Sequence, residues 1–255
     1  MAGNGSETIL FCPDPPLTIE HYDKLFELLI PRATVVCFEQ PGFGFSEALP
    51  GFSFTFDEYV AAASALLLHL DRPSYVPAMA CVGTYLTLAL ARQHPERIRK
   101  LIVMQGPHWQ EEIRWAHRID ARKVIMKPVK GQLALFLAKK YVARNWIGYA
   151  AGVRQRIPEL IRKATDALHR GGCFCLASFA QGWFLRSPDP RFGEISAKAL
   201  VIWGMSDPSH ADSDKRSVLR YLPDAEYQEW EEVGHFPELE QTERFVQILC
   251  SFAGI

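Results

Sequence analysis

The chain has 255 residues, 48% of them hydrophobic and 22% charged, with a net charge of −1. That length supports one large hydrophobic interior, or a core with an insertion, and the composition is that of an ordinary soluble globular protein. A charge this close to zero excludes general nucleic-acid binding, and no apolar run reaches the ~20 residues that span a bilayer, so neither nucleic acid nor membrane is an expected partner. The first residues, MAGNGSE, lack the basic and apolar regions of a secretory leader. Cys12, Cys37, Cys81, Cys173, Cys175 and Cys250 form no regular framework, so reduced thiols and a cytoplasmic location are expected.

Taken in chain order, Thr8–Phe11 reads as a short buried strand that Cys12-Pro13-Asp14-Pro15-Pro16 ends. Thr18–Leu29 has helical periodicity, Ala33–Phe38 is a second strand, and Phe56–Leu70 is an amphipathic helix. Ser74–Met79 is a strand that meets a small-residue corner, Ala80-Cys81-Val82-Gly83. An apolar helix follows to His94, then a further strand, Lys100–Gln105; together these make one βαβ unit. From His108 to Pro190 the pattern is helical, broken at Lys127-Pro128, Arg156-Ile157-Pro158 and Gly171-Gly172, with 15 Lys/Arg against six Asp/Glu. That surplus of +9 in a chain of net −1 leaves −10 for the remainder. Alternation then resumes: strand Ala199–Trp203, a loop with Asp207, helix Asp214–Tyr221, strand Ala225–Trp230, a loop with His235, and a closing helix Glu240–Phe252. The organisation read from this is a core in two parts, residues 1–107 and 195–255, with a helical insertion over 108–194.

Strands that alternate with helices make a parallel sheet, and ligands gather at the carboxyl ends of its strands. Cys81, Asp207 and His235 each follow a different strand. A thiol so placed can attack a carbonyl, an imidazole can move the proton, and a carboxylate can fix the imidazole tautomer. Cys173-x-Cys175 lacks the second ligand pair of a zinc site, and no cofactor motif is present, so no metal and no cofactor are expected.

Longer stretches carry a family resemblance. LARQHPERIRKLIV resembles the segment after the nucleophile elbow of the α/β-hydrolase superfamily, and counting back from His94 puts the nucleophile on Cys81. ALVIWGMSD resembles its acid-bearing strand and loop, which places Asp207, and EEVGHFPELEQTERF resembles its histidine loop and last helix, which places His235. FEQPGFGFSE resembles its glycine-rich turn. The resemblance covers almost the whole chain, and the order nucleophile, acid, histidine is that of the superfamily. It implies a capped α/β-hydrolase fold: a mainly parallel sheet of about six strands, without the usual N-terminal antiparallel pair, and an inserted helical cap. It also implies oxyanion donors at the backbone N–H groups of Val82 and Asp14. Cys12, His108, Trp109, Trp183 and Phe236 are the expected substrate contacts. His210 is expected to be a solvated loop residue, and the cap aromatics mostly cap core.

Three departures qualify the expectation. Met79 stands where the strained turn needs a small residue, and Pro77 lies in a central strand, so a distorted elbow is expected. Cys12-Pro13 replaces His-Gly in the oxyanion loop, which leaves Asp14 as the only nearby donor, with a carboxylate that repels an oxyanion if it points inward. The strand Ala33–Phe38 becomes a long apolar edge, which predicts cover by a partner subunit, giving a homodimer, or by the N-terminal residues. The function expected is an enzyme that uses a Cys-His-Asp triad on a mostly apolar small-molecule ester, lactone or acyl thioester. The basic cap would suit a CoA- or carrier-protein-bound acyl group. The alternatives are a lyase, cyclase or isomerase with His235 as acid or base and Cys81 as a pocket residue, and a catalytically inactive binding protein.

Overall fold

The strands are short runs of β-branched and aliphatic residues whose neighbours point to opposite faces. In the computed structural model, which describes residues 1–255 apart from the side chain of Gln155, they are β1 (Thr8–Phe11), β2 (Thr34–Cys37), β3 (Val76–Ala80), β4 (Lys100–Met104), β5 (Lys198–Gly204) and β6 (Glu226–Trp230). They form one sheet in the order β2-β1-β3-β4-β5-β6, every pair parallel. Ile9, Phe11, Ile102, Met104, Leu200 and Ile202 enter one apolar layer. Leu10, Leu101, Val103 and Val201 enter the other. A parallel sheet buried on both faces explains why these strands read as continuous apolar runs.

Helices α1 (Asp23–Leu29) and α9 (Thr242–Ala253) bury Leu25, Leu29, Phe245 and Leu249 in the first layer. Helices α2 (Phe56–Leu70) and α3 (Val82–Gln93) bury Val60, Leu67, Leu86 and Leu90 in the second. Between β4 and β5 the chain leaves the sheet to build a cap from α4 (Trp109–Ile119), α5 (Lys130–Ala150), α6 (Ile157–Ala167) and α7 (Cys173–Phe179). Pro158 sits in the first turn of α6, where its missing N–H costs nothing, and Gly171 breaks the helical run with φ +113°. After β6, the short helix α8 (Pro237–Glu240) precedes α9.

Several expectations are corrected. The helix expected over Thr18–Leu29 is a 3₁₀ turn, Ile19–Tyr22, followed by α1. The helix expected over Asp214–Tyr221 is only a 3₁₀ turn at Ser217–Arg220, because the Asp214 carboxylate and carbonyl take Arg216 N–H and the Ser217 hydroxyl in a local turn. The elbow is not distorted. Pro77 is held in β3 opposite Leu10, and pairing with β1 stops there, while Ala78, Met79 and Ala80 pair with β4. Met79 is buried, and the crowding it causes falls on Gly83: a Cβ built there would stand 2.7 Å from Met79 Cβ. On the outer edge, Ala2 N–H donates to Val35 O at 2.9 Å and Ala2 O accepts Val35 N–H at 2.7 Å, an antiparallel bridge that occupies the place of a partner strand there.

Candidate active site

Where β3 turns into α3, Cys81 takes φ +52° and ψ −121°, a conformation a non-glycine residue adopts only under constraint. The constraint is visible on both sides. Cys81 N–H donates to Met104 O at 2.8 Å, and Cys81 O accepts Thr84 N–H at 2.9 Å. The turn lifts the side chain clear of the sheet at the carboxyl end of β3. Val82 opens α3, and among the described residues neither its N–H nor that of Asp14 has an acceptor in the protein.

Asp207 leaves β5 and is fixed by four contacts. Its Oδ1 accepts from Ser209 N–H (2.8 Å) and Ser209 Oγ (2.6 Å), and its Oδ2 accepts from Gln105 Nε2 (2.8 Å) and meets His235 Nδ1 at 2.7 Å. Gln105 is fully buried, and its Oε1 accepts Gly204 N–H at 2.6 Å, so one side chain ties β4, β5 and the acid together. The histidine loop is tied to the cap. Glu240 accepts from the backbone N–H groups of Gly152, Val153, Gly234 and Phe236, and His235 N–H donates to Ala150 O at 3.0 Å. A Cβ on Gly234 would stand 2.3 Å from Gly152 N, so only glycine lets the loop approach this closely.

The other face of the imidazole is crowded. Nε2 is buried without a hydrogen-bond partner and lies 3.8 Å from Asp14 Oδ2. One donor atom each from Asp14, Cys81 and His235 lie within 4.8 Å of one another. Burial works against a charged His235, but Asp207 outweighs it, helped by Cys81 and Asp14, and the imidazole is held well above its ordinary range. For Asp207 too burial opposes the charge, and the charge and hydrogen bond of His235 overcome it, so the carboxyl is held well below the usual range. Burial pushes the Cys81 thiol well up, and the carboxyl groups of Asp14 and Glu112 push the same way.

Above this cluster is a cavity of about 510 Å³. Asp14, Cys81 and Val82 lie at its floor, and Trp115, Trp146, Tyr149, Phe179 and Phe184 line it from the cap. More of the cap aromatics face the cavity than expected, because α4 presents Trp115, α5 presents Trp146 and Tyr149, and the end of α7 with the turn after it presents Phe179 and Phe184; Phe174 instead lies outside, 41% exposed. No Lys or Arg lines the cavity among the described residues.

The five expected substrate contacts lie elsewhere. Cys12 is buried behind Asp14, with its thiol pushed up to about 12, mostly by burial. His108 caps α4 and stacks on Tyr221 at 4.7 Å. Trp109 and Trp183 pack with Phe56 in the core between cap and sheet. Phe236 stands edge-on behind His235 at 5.0 Å. These residues hold the pocket in place without lining it. His210 is also not solvated. It is fully buried, stacks on His235 at 5.4 Å, and is kept neutral by burial and the neighbouring imidazolium, which lower it to about 3.

Two site residues escape the sequence reading: Gln105 and Glu112. Glu112 is fully buried on α4, with Oε1 4.0 Å from Cys81 Sγ and Oε2 3.3 Å from Tyr85 Oη. The signal for Glu112 is its spacing, three residues from both Trp109 and Trp115 on the helix face that is otherwise apolar.

A parallel sheet with an inserted helical cap, a strained residue at the β3–α3 corner, and an acid and a histidine after later strands define the class. The chain belongs to the α/β hydrolase fold family, which it matches over residues 8–242. It is 26% identical over 175 residues to a 2-hydroxy-6-oxononadienedioate/2-hydroxy-6-oxononatrienedioate hydrolase of Comamonas testosteroni, a match covering 65% of this chain and 57% of that one. The chain thus spans little more than half the length of that relative. It is also 26% identical over 235 residues to a pimeloyl-[acyl-carrier protein] methyl ester esterase of Chromobacterium violaceum, covering 90% of this chain and 87% of the other. Among solved structures, the enol-lactonase of Burkholderia xenovorans LB400 superposes with a TM-score of 0.77 over 99% of this chain and 93% of its own, at 18% identity, a likeness of fold. No helix of the structure is long and apolar enough to cross a membrane among the described residues.

Proposed function

We propose that the protein hydrolyses a neutral, mostly apolar carbonyl substrate, an ester, lactone or acyl thioester, with Cys81 as nucleophile and His235, oriented by Asp207, moving protons. The observation that carries this reading is the open face of the cluster. A thiol on a strained corner stands beside a histidine whose Nδ1 lies 2.7 Å from a buried carboxylate, and both lie under a cavity of about 510 Å³. Attack by Cys81 would place the developing oxyanion near the N–H groups of Val82 and Asp14. The Asp14 carboxylate opposes that charge, and the imidazolium beside it offsets the repulsion.

The cavity lining supports one substrate class over another. The Comamonas relative is named for dioate substrates, whose two carboxylates need cationic partners. This cavity offers Asp14 and Asp120 and no Lys or Arg among the described residues, so a neutral acyl group fits and a dianion does not. An acyl chain presented on an acidic carrier or on CoA remains within this reading, since the basic surplus of residues 108–190 would meet the carrier outside the cavity. The Chromobacterium relative, named for an acyl-carrier-bound ester, points the same way. Six free cysteines suit a reducing compartment, the cytoplasm.

A second reading is kept for one observation: His235 stands between two carboxyl groups, Asp207 at 2.7 Å from Nδ1 and Asp14 at 3.8 Å from Nε2, an arrangement suited to acid–base elimination or cyclisation without a covalent step. Turnover of a neutral butyrate ester by Cys81→Ala and His235→Ala separates the two. Loss in both variants supports the hydrolytic reading. A Cys81→Ala protein that stays active while His235→Ala is dead supports the second and overturns the first.

A further inference from the structure

We propose that Asp14, Cys81 and His235 form a site for a thiophilic divalent metal ion, zinc above all, and that the bound ion shuts the active site. The site stands on geometry alone. Its consequence, inhibition, rests on Cys81 being the nucleophile and His235 its base.

One donor atom each from Asp14, Cys81 and His235 lie within 4.8 Å of one another. For His235 that atom is Nε2, since Nδ1 is taken by Asp207 at 2.7 Å. Nε2 and Asp14 Oδ2 are 3.8 Å apart. Zinc bonds of ~2.0–2.3 Å in tetrahedral array set ligand atoms roughly 3.3–3.7 Å from one another, so the cluster must close by no more than on the order of 1 Å. The atoms are free to bind. Nε2 is fully buried, faces the cluster and has no partner at hydrogen-bond length. The Asp14 carboxylate, 4% exposed, has no charged partner but His235 among the described residues.

The surroundings favour the same reading. A carboxylate behind a histidine is the usual support of a metal-bound imidazole, because it fixes the ring with the other nitrogen's lone pair outward. Asp207 holds that position and is itself held by Gln105 and Ser209. A second set, Asp207, His210 and His235, is equally compact but closed: Asp207 is already engaged, and neither it nor His210 lines the cavity. Asp14 and Cys81 do line it, so an ion has a way in and its fourth position is left to water.

The charges balance. A thiolate and a carboxylate neutralise a dication, and a neutral imidazole completes the set, so the buried site carries no net charge. The sulfur and nitrogen donors favour zinc over magnesium or calcium, which take oxygen ligands. As the ion binds, the thiol proton and any proton on Nε2 leave to solvent. The ion then occupies the lone pairs of nucleophile and base together, so metal binding and acyl transfer exclude each other. Asp14, Cys81 and His235 are far apart in the chain, and no ligand spacing in the sequence reports them.

Zinc itself is the probe. The reduced, chelator-treated protein is titrated with zinc against a chromophoric indicator, and with cobalt(II), whose bond to a thiolate gives a near-ultraviolet charge-transfer band. Cys81→Ser should abolish that band. Asp14→Asn should weaken zinc binding by at least about 10²-fold, since changes behind the ligands alone cost about 10–100-fold. Circular dichroism checks that both variants fold. Zinc should also shield Cys81 from iodoacetamide, and should stop turnover of 4-nitrophenyl butyrate until a chelator is added. No bound ion, or binding unchanged in both variants, overturns the site. Zinc bound here with turnover intact overturns the inhibition. Wild-type protein that takes no acyl group on Cys81 removes the hydrolytic reading instead, while the cobalt band and the shielding still decide the site.

Discussion

Replacing Glu238 with Gln should remove a pH-dependent loss of stability. Glu238 lies in α8, 1% exposed; its Oε1 accepts from Tyr22 Oη at 2.9 Å, and its Oε2 has no partner among the described residues. Burial raises its carboxyl from 4.5 to about 7, and the hydrogen bonds it accepts only partly offset the rise. The folded state therefore holds this proton more tightly than the unfolded one. The stability linked to it is fully present below pH 4.5, is lost as pH rises, and is gone above about pH 7. A shift from 4.5 to about 7 corresponds to about 3 kcal/mol. Glutamine keeps the acceptor for Tyr22 but puts an amide where Oε2 has no partner, a pH-independent cost on the order of 1–3 kcal/mol. Urea denaturation followed by tryptophan fluorescence, at pH 5 and pH 8, reads the difference. The variant should gain on the wild type by about 2.5 kcal/mol between the two, since part of the loss is already complete at pH 5. Curves that stay parallel, whatever their offset, would refute a buried proton at Glu238.

Three further predictions follow from packing and charge. Gly83→Ala should destabilise by about 1–3 kcal/mol in the same assay despite the better helix propensity of alanine, and the same change should cost less when made in a Met79→Gly chain, which lacks the opposing Cβ. Equal stability of Gly83→Ala and wild type would mean that the β3–α3 contact yields freely. Deleting residues 2–5 removes the Ala2 bridge and bares Val35, so light scattering should show concentration-dependent self-association that the full chain lacks. An unchanged mass would show that this bridge does not blunt the edge. Among butyrate and succinate half-esters of one alcohol, the charged one should have a kcat/KM lower by about tenfold or more, because the cavity would bury a carboxylate without a cation. Equal values would contradict the neutral-substrate reading.

The parts of the fold legible in the sequence are those written locally. The corner at Cys81, the loops bearing Asp207 and His235, and the cap breaks at Pro158 and Gly171 each depend on a few consecutive residues, and the structure has them in place. What failed was direction. Trp109 and Trp115 lie on one helix; only packing of α4 sends Trp115 to the cavity and Trp109 to the core. His210 looked solvated because its turn is polar in sequence, yet the rings of Trp115 and His235 enclose it. Met79 looks disruptive in sequence because the turn needs a small residue, yet the position it crowds is 83, and that position is glycine. Glu112 is one of two acidic residues in the first turn of a helix, where such residues are commonplace and carry no signal of a site. Its neighbour Cys81 is 31 residues away, and no local pattern reports that distance.

The central claim is that Cys81 forms a covalent acyl bond. Intact-protein mass spectrometry after mixing with a short panel of neutral acyl esters and acyl thioesters tests it most directly, with Cys81→Ala and His235→Ala alongside. The account predicts a single acyl adduct that maps to Cys81, is absent from Cys81→Ala, and forms far more slowly in His235→Ala, because the thiol then lacks its base. Turnover of the same panel by Cys81→Ala, with no adduct on the wild-type protein at any time, would contradict it.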